Sequence, residues 1–164
     1  MSANAKSKSK TGATSHAAAA ASASASAGGG PDWHHLLAPG LAAFEDLSQA
    51  AFARLPEDFR RRCADVVIAV EDFPTDEVLD ALEAETPFDL LGLFQGVGQA
   101  QGGALAQTGQ MPNMVFLYRR PILDYWAENE ETLGDIVTHV LVHEIGHHFG
   151  LSDDDMAEVE ADAE

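Results

Sequence analysis

One stretch near the C-terminus constrains this chain more than any other. It runs from His143 to Asp153 and reads HEIGHHFGLSD. Residues four apart on an α-helix lie on one face, about 6 Å apart along the axis, so His143 and His147 can direct both imidazoles at one ion. Glu144 is rotated by about 100° from His143, which places its carboxylate beside a metal-bound water instead of on the metal. The spacing therefore predicts a metal site with a general base next to it.

The residues after this helix supply a candidate third ligand. Gly150 can adopt the left-handed conformation that ends helices, after which the chain can fold back. Asp153 would then return its carboxylate to the two imidazoles, and three protein ligands with an open fourth position are the pattern of a catalytic zinc. The fold-back is not fixed to one residue, so Asp154, Asp155 or Glu158 could take the place of Asp153. An acidic cluster is also typical of a helix start, so Ser152 or Asp153 could serve only as an N-cap.

The residues around the motif favour a buried helix over a polar surface helix that carries the same letters by chance. The apolar residues recur at helical spacing and are Ile136, Val137, Val140, Leu141, Ile145 and Phe149. A helix with this pattern buries one face, as a metal site requires.

Three further side chains are candidates for oxyanion support or for orienting a ligand: Tyr118, His139 and His148. His139 precedes His143 by one turn, although a histidine on a helix face with no metal role is the favoured interpretation. His148 points about 100° away from His147, which favours a supporting or structural role over ligation.

The chain divides by composition into a tail over residues 1–32 and a folded domain over residues 33–164. The first 30 residues hold three lysines, no acidic residue and a run of Ala and Ser, which predicts a disordered tail. The tail resembles a secretory signal in its lysines, but it lacks Leu, Ile, Val and Phe. The single cysteine, Cys63, fits a reducing compartment. We therefore expect a cytoplasmic protein.

The folded part is strongly acidic. After residue 30, six arginines stand against 27 acidic residues, a formal charge of −21. Such a surface repels nucleic acid and membranes with anionic lipids, and it attracts cations and basic peptides. We expect neither a nucleic-acid nor a membrane partner, and simple solubility is the favoured explanation of the charge.

Hydrophobic periodicity predicts an α+β domain. Helices are expected over 41–55, 75–82, 124–131 and 133–149, and strands over 66–70, 90–94 and 114–118. The segment from Gly96 to Gly109 is rich in Gly and Gln and lacks charge, which indicates a mobile loop. This order predicts a small mixed β-sheet of about three strands, packed with helices that include the metal-binding helix.

The chain resembles the small zincin-like metallopeptidases of bacteria, which have a minimal zincin fold and an HExxHxxGxxD motif. The matching stretches are Leu55–Phe59, Val66–Pro74, Leu90–Gly96, Met114–Pro121 and His143–Asp155. The resemblance implies a zincin core, bound zinc and peptidase activity, with His143, His147 and Asp153 as ligands and Glu144 as the base. The chain departs from the family in its long tail and in the length of the segment from Gly96 to Gly109.

The residues therefore predict a zinc-dependent hydrolase of peptide bonds whose partner is a peptide or protein substrate. The strand over 90–94 lies at a predicted sheet edge, where Leu91, Gly92, Leu93 and Phe94 could bind an extended substrate by strand addition. A protected edge without a ligand is equally consistent with the sequence. Three further interpretations stay open: a zinc-fold binding or regulatory module with weak or no catalysis, a non-peptide amide substrate, and manganese or cobalt in place of zinc. The sequence does not determine the oligomeric state.

Overall fold

The computed structural model describes residues 2–5, 34–96 and 112–163. Its elements, in chain order, are β1 (Ser2–Ala5), α1 (Leu41–Arg54), α2 (Glu57–Arg62), β2 (Val66–Glu71), α3 (Asp76–Leu82), a short 3-10 helix (Pro87–Asp89), β3 (Leu90–Gln95), β4 (Asn113–Tyr118), α4 (Arg119–Glu128), α5 (Leu133–Phe149) and α6 (Asp153–Ala161). Most of the predicted tail and nearly all of the predicted loop from Gly96 to Gly109 lie outside the described residues. Within the described ranges, no helix combines the length and apolar character needed to cross a bilayer.

The sheet is mixed and has the strand order β1-β3-β4-β2. β2 runs parallel to β4, whereas β3 is antiparallel to both β4 and β1. The predicted α+β class with a small mixed sheet is confirmed, and β2, β3 and β4 are the three expected strands. A fourth strand, β1, covers the side of β3 that the sequence suggests as an edge, because an open edge presents backbone groups that an extended segment can satisfy.

The alternation of β4 separates two hydrophobic clusters. Val115 and Leu117 join the main core, which is built largely from α1 and α5. Phe116 and Tyr118 point to the other face and pack with Leu90 and Leu93, as the period of two along a strand requires. The helix that carries the motif is therefore held against one face of the sheet.

Gly92 lets β3 approach α5 closely. A Cβ at this position would come within 2.6 Å of Val140 Cγ1 and 3.2 Å of Glu144 Cγ. Both distances are tight for carbon atoms, whose optimal separation is about 3.5–4.0 Å. The absence of a side chain at Gly92 therefore brings the strand next to the motif helix.

Two short segments differ from the predictions. α4 begins at Arg119 instead of Asp124, because Pro121 falls in the first turn, where the missing N–H of proline costs no helical hydrogen bond. α2 is not predicted by the sequence, since six residues are too few to show a helical period. Cys63 follows α2 and is buried. Burial, with the charge of Asp65, raises the pKa of its thiol to about 12, so the thiol is protonated at neutral pH.

Both ends of α5 are capped, and the cap at Gly150 is the one that the sequence predicts. The Thr132 side chain accepts the N–H of Asp135 at the start of the helix, and Gly150 closes its end with a φ of 72°. The N–H groups of Gly150 and Leu151 return to the carbonyls of His147 and Gly146. This is the arrangement of a left-handed helix cap.

We expect Gly150→Ala to lower the free energy of unfolding by about 1–2 kcal/mol, because a Cβ in the left-handed region costs about that much. Gly134→Ala is the control, since Gly134 lies within α5, has no positive φ and leaves room for a Cβ. That substitution is expected to be neutral or slightly stabilising. Urea unfolding with a chelator present measures both, and equal effects at the two positions would contradict the assignment of strain to Gly150.

Candidate metal centre

α5 presents the motif residues in the order that its helical period requires. His143 is half-buried, Glu144 is buried and His147 is exposed. The ring centroids of His143 and His147 lie 5.6 Å apart. The two imidazoles are thus neighbours on successive turns, as the four-residue spacing predicts.

The side chains of His139 and Glu160 also lie next to His143. Glu160 Oε1 lies 3.3 Å from His143 Nε2 and 3.1 Å from His139 Nδ1. The three ligand atoms all lie within 4.8 Å of one another. Glu160 reaches this position because α6 packs closely on α5, with Met156 lying where a Cβ on Gly146 would be. We call His139, His143 and Glu160 the His-His-Glu cluster.

Within the His-His-Glu cluster, the negative charge of Glu160 and the positive charge of protonated His139 stabilise each other. Burial alone would raise the pKa of Glu160, but hydrogen bonds from His139 and His143 outweigh it and lower the pKa to about 2. The hydrogen bond to Glu160 raises the pKa of His139, against the effect of burial. The cluster therefore holds a carboxylate in its charged form, as a metal ligand must be.

In metal-free protein, we expect Glu160→Gln to reduce stability most between about pH 4.5 and 6.5. Because the pKa of His139 is raised, its contact with Glu160 stabilises the fold fully below pH 6.5, the ordinary pKa of histidine. This stabilisation is lost as the pH rises through the raised pKa. Because the pKa of Glu160 is lowered, its contacts stabilise the fold fully above pH 4.5, the ordinary pKa of glutamate. This stabilisation is lost as the pH falls toward 2. Urea unfolding at pH 3, 5.5 and 9 tests this against Glu158→Gln, an exposed control on α6. A pH-independent difference would contradict it.

Asp153 lies at the first position of α6 and is exposed. Ser152 is the N-cap, and its side chain exchanges hydrogen bonds with Asp155 in a capping box. The side chains that could replace Asp153 as third ligand are exposed as well: Asp154, Asp155 and Glu158. Ligation by Asp153 stays a prediction. The described cluster takes its carboxylate from Glu160, which sequence reasoning missed because spacing does not encode the packing of α6 on α5.

Glu144, the predicted base, faces β3. It has no exposed surface, and its Oε2 accepts the backbone N–H of Phe94 at 3.0 Å. The carboxylate is thus held at the junction of the motif helix and the strand that the sequence assigns to substrate binding. Of that strand, Leu91, Gly92, Leu93 and Phe94 are all buried, with β1 and β4 on either side.

The remaining candidates lie around this junction. The ring of His148 stacks on Phe94 with centroids 3.7 Å apart, and burial lowers the pKa of His148. Tyr118 is buried in the second cluster with Leu90 and Leu93. Burial, with the charges of Glu71 and Glu144, raises the pKa of Tyr118. Oxyanion support by Tyr118 stays a prediction, and so does a supporting role for His148.

Comparison with known families agrees with this geometry. The family model described as zincin-like metallopeptidase matches residues 63–163, which is more than half of the 164-residue chain. The match covers β2 to α6 and includes the whole motif helix. No individually curated protein matches the chain. The chain therefore belongs to the zincin-like metallopeptidase family.

Proposed function

We propose that this protein is a zinc-dependent peptidase that hydrolyses peptide bonds with Glu144 as the general base. The observation that carries the proposal is the position of Glu144. Glu144 follows His143 directly on α5, and its carboxylate accepts the N–H of Phe94 on β3. A base must reach both the metal-bound water and the substrate, and a carboxylate that follows His143 on α5 and contacts β3 supports this role.

The donor chemistry of the site fits zinc. Two imidazole nitrogens and one carboxylate oxygen come together in the His-His-Glu cluster, and nitrogen and oxygen ligands of this kind are typical of catalytic zinc. The family motif selects a second set, His143, His147 and Asp153. The two sets share His143. We propose that His143 is a ligand in either case and that experiment decides between the two carboxylates.

Each residue has a defined task in this mechanism. Zinc, when bound, lowers the pKa of a water molecule and polarises a carbonyl group. Glu144 accepts a proton from the water and passes it to the leaving amine. The backbone of β3 aligns the peptide, and the N–H of Phe94 keeps the Glu144 carboxylate oriented until the substrate arrives.

Metal content measured by elemental analysis tests the site and its ligand set. His143→Ala is expected to abolish zinc binding. The motif set is assigned if zinc is lost in His147→Ala and Asp153→Ala but retained in His139→Ala and Glu160→Ala. The opposite result assigns the His-His-Glu cluster. Absence of zinc from wild-type protein after metal repletion would contradict the proposal.

A binding or regulatory module without catalysis is the second candidate. Complete burial of Glu144 favours it, because a base must meet water. Substitution of Glu144 by Gln separates the two candidates, since only a peptidase loses its function when the base is removed and zinc is kept.

We also propose a cytoplasmic location. The single cysteine supports this proposal, because it fits a reducing compartment.

A further inference from the structure

The side of β3 that faces away from β4 is covered by the first residues of the chain. β1 pairs with it in antiparallel orientation and also lies against α5. The paired residues are Ser2 with Phe94, Ala3 with Leu93, Asn4 with Gly92 and Ala5 with Leu90. The register shifts between Asn4 and Ala5. β1 therefore fills the space bounded by β3 and α5, which we call the β3–α5 groove.

The β3–α5 groove passes the carboxylate on which the proposed function depends. Phe94, opposite Ser2, donates its N–H to Glu144. Gly92, opposite Asn4, leaves only 3.2 Å between its Cβ position and Glu144 Cγ. β1 thus runs antiparallel to β3 along the stretch where an extended peptide would meet the base.

The pairing of β1 is suited to being reversible. The net gain from each backbone hydrogen bond is of the same order as the entropy cost of ordering the residue that makes it. Four paired residues therefore give little net stabilisation of their own. Covalent attachment offsets this, because a tethered segment acts at an effective concentration that reaches the millimolar range for short linkers.

The chain is long enough for β1 to come from the same molecule. Residues 6–33 separate Ala5 from the next described residue, and these 28 residues span roughly 90 Å when fully extended. A single folded domain of this size is smaller than that distance. The connection therefore allows the segment to reach the groove.

We propose that Ser2–Ala5 is a built-in occupant of the β3–α5 groove, which an extended peptide displaces when it binds to β3. The ligand class is an extended peptide of small residues, because the occupant has the sequence Ser-Ala-Asn-Ala. This inference rests on the proposed function where it identifies the displacing peptide with the substrate. The segment then regulates access to Glu144.

The variant Ala3→Pro with Asn4→Pro tests the occupant. Successive residues of a strand direct their N–H groups to opposite sides, so one of the two prolines removes a donor that faces β3. The same pair of substitutions at Ala19 and Ala20, outside β1, is the control. Circular dichroism and thermal melting establish that both variants keep the fold.

Amide hydrogen exchange measured by NMR reports on the groove without any requirement for catalysis. The N–H of Phe94 points to Glu144 and so away from β4. Because N–H directions alternate along a strand, the N–H of Gly92 also points away from β4, whereas the N–H of Leu93 points toward β4. In the Ala3→Pro, Asn4→Pro variant we expect Gly92 to exchange about tenfold faster or more, with Leu93 unchanged. Equal rates for Gly92 in wild type and variant would overturn the inference. Protection of Gly92 that falls on dilution of wild-type protein would also overturn it, because the occupant would then come from another molecule.

Displacement is tested by titrating the acetylated, amidated hexapeptide Ser-Ala-Asn-Ala-Ser-Ala. It is expected to bind the proline variant about tenfold more tightly than wild type, since an occupied groove lowers the apparent affinity by the fraction that is open. Equal affinity would overturn displacement. If both results hold and no peptide is hydrolysed, the groove stands and the peptidase proposal fails. If peptides are hydrolysed while exchange at Gly92 is unaffected, the peptidase proposal stands and this inference fails.

Discussion

Glu144→Gln is expected to lower kcat/KM for peptide hydrolysis by a factor of about 10²–10⁴, the usual contribution of a general base. The amide of Gln has the size of the carboxyl group, and its carbonyl oxygen can still accept the N–H that Phe94 donates to Glu144. The substitution therefore removes the ability to accept a proton while it keeps the contact with β3. Zinc content and the free energy of unfolding are measured alongside activity.

The control for this substitution is Glu45→Gln, an exposed glutamate on α1. It is expected to change neither activity nor zinc content. A protein that binds zinc but retains its full function after Glu144→Gln would support the non-catalytic module instead. A large loss of zinc in Glu144→Gln would also contradict the proposed role, because it would make the carboxylate part of the ligand set.

The second large effect is the loss of metal-linked stability in His143→Ala. A ligand that binds only the folded state stabilises it by about 4 kcal/mol when its free concentration is a thousand times the Kd. Wild-type protein is expected to gain about this amount from zinc and to lose it on chelation. His143→Ala is expected to gain nothing, because His143 belongs to both candidate ligand sets.

Thermal or urea unfolding with and without zinc makes this comparison. His34→Ala, an exposed histidine before α1, is the control and should respond to zinc as wild type does. The metal-free forms of wild type and His143→Ala must also be compared, since the substitution removes the contact between His143 and Glu160. Zinc stabilisation that survives in His143→Ala would contradict both ligand sets.

Local patterns in the sequence are sufficient to predict much of the fold. The spacing of apolar residues places α5 and the three main strands within a few residues, because each period reflects a buried face. Gly150 is predicted as a helix end, and it has the positive φ that this role requires. The predicted start of α4 is wrong because a proline tolerated in the first turn resembles a proline that ends a strand.

The parts that could not be predicted depend on how distant elements meet. No spacing marks Glu160 as a partner of His143, since its approach depends on the angle between α5 and α6. β1 carries no alternation of apolar and polar residues, so no pattern marks Ser2–Ala5 as a strand. Its pairing with β3 depends on an edge left open by the rest of the fold.

The missing side chain of Gly92 determines how closely β3 can approach α5. Because the side chains of Val140 and Glu144 lie where a side chain at position 92 would begin, β3 can lie this close to α5 only with glycine at this position. In the proposed peptidase, Gly92 would thereby fix the separation between the substrate strand and the base, and a larger residue at this position would force the two apart.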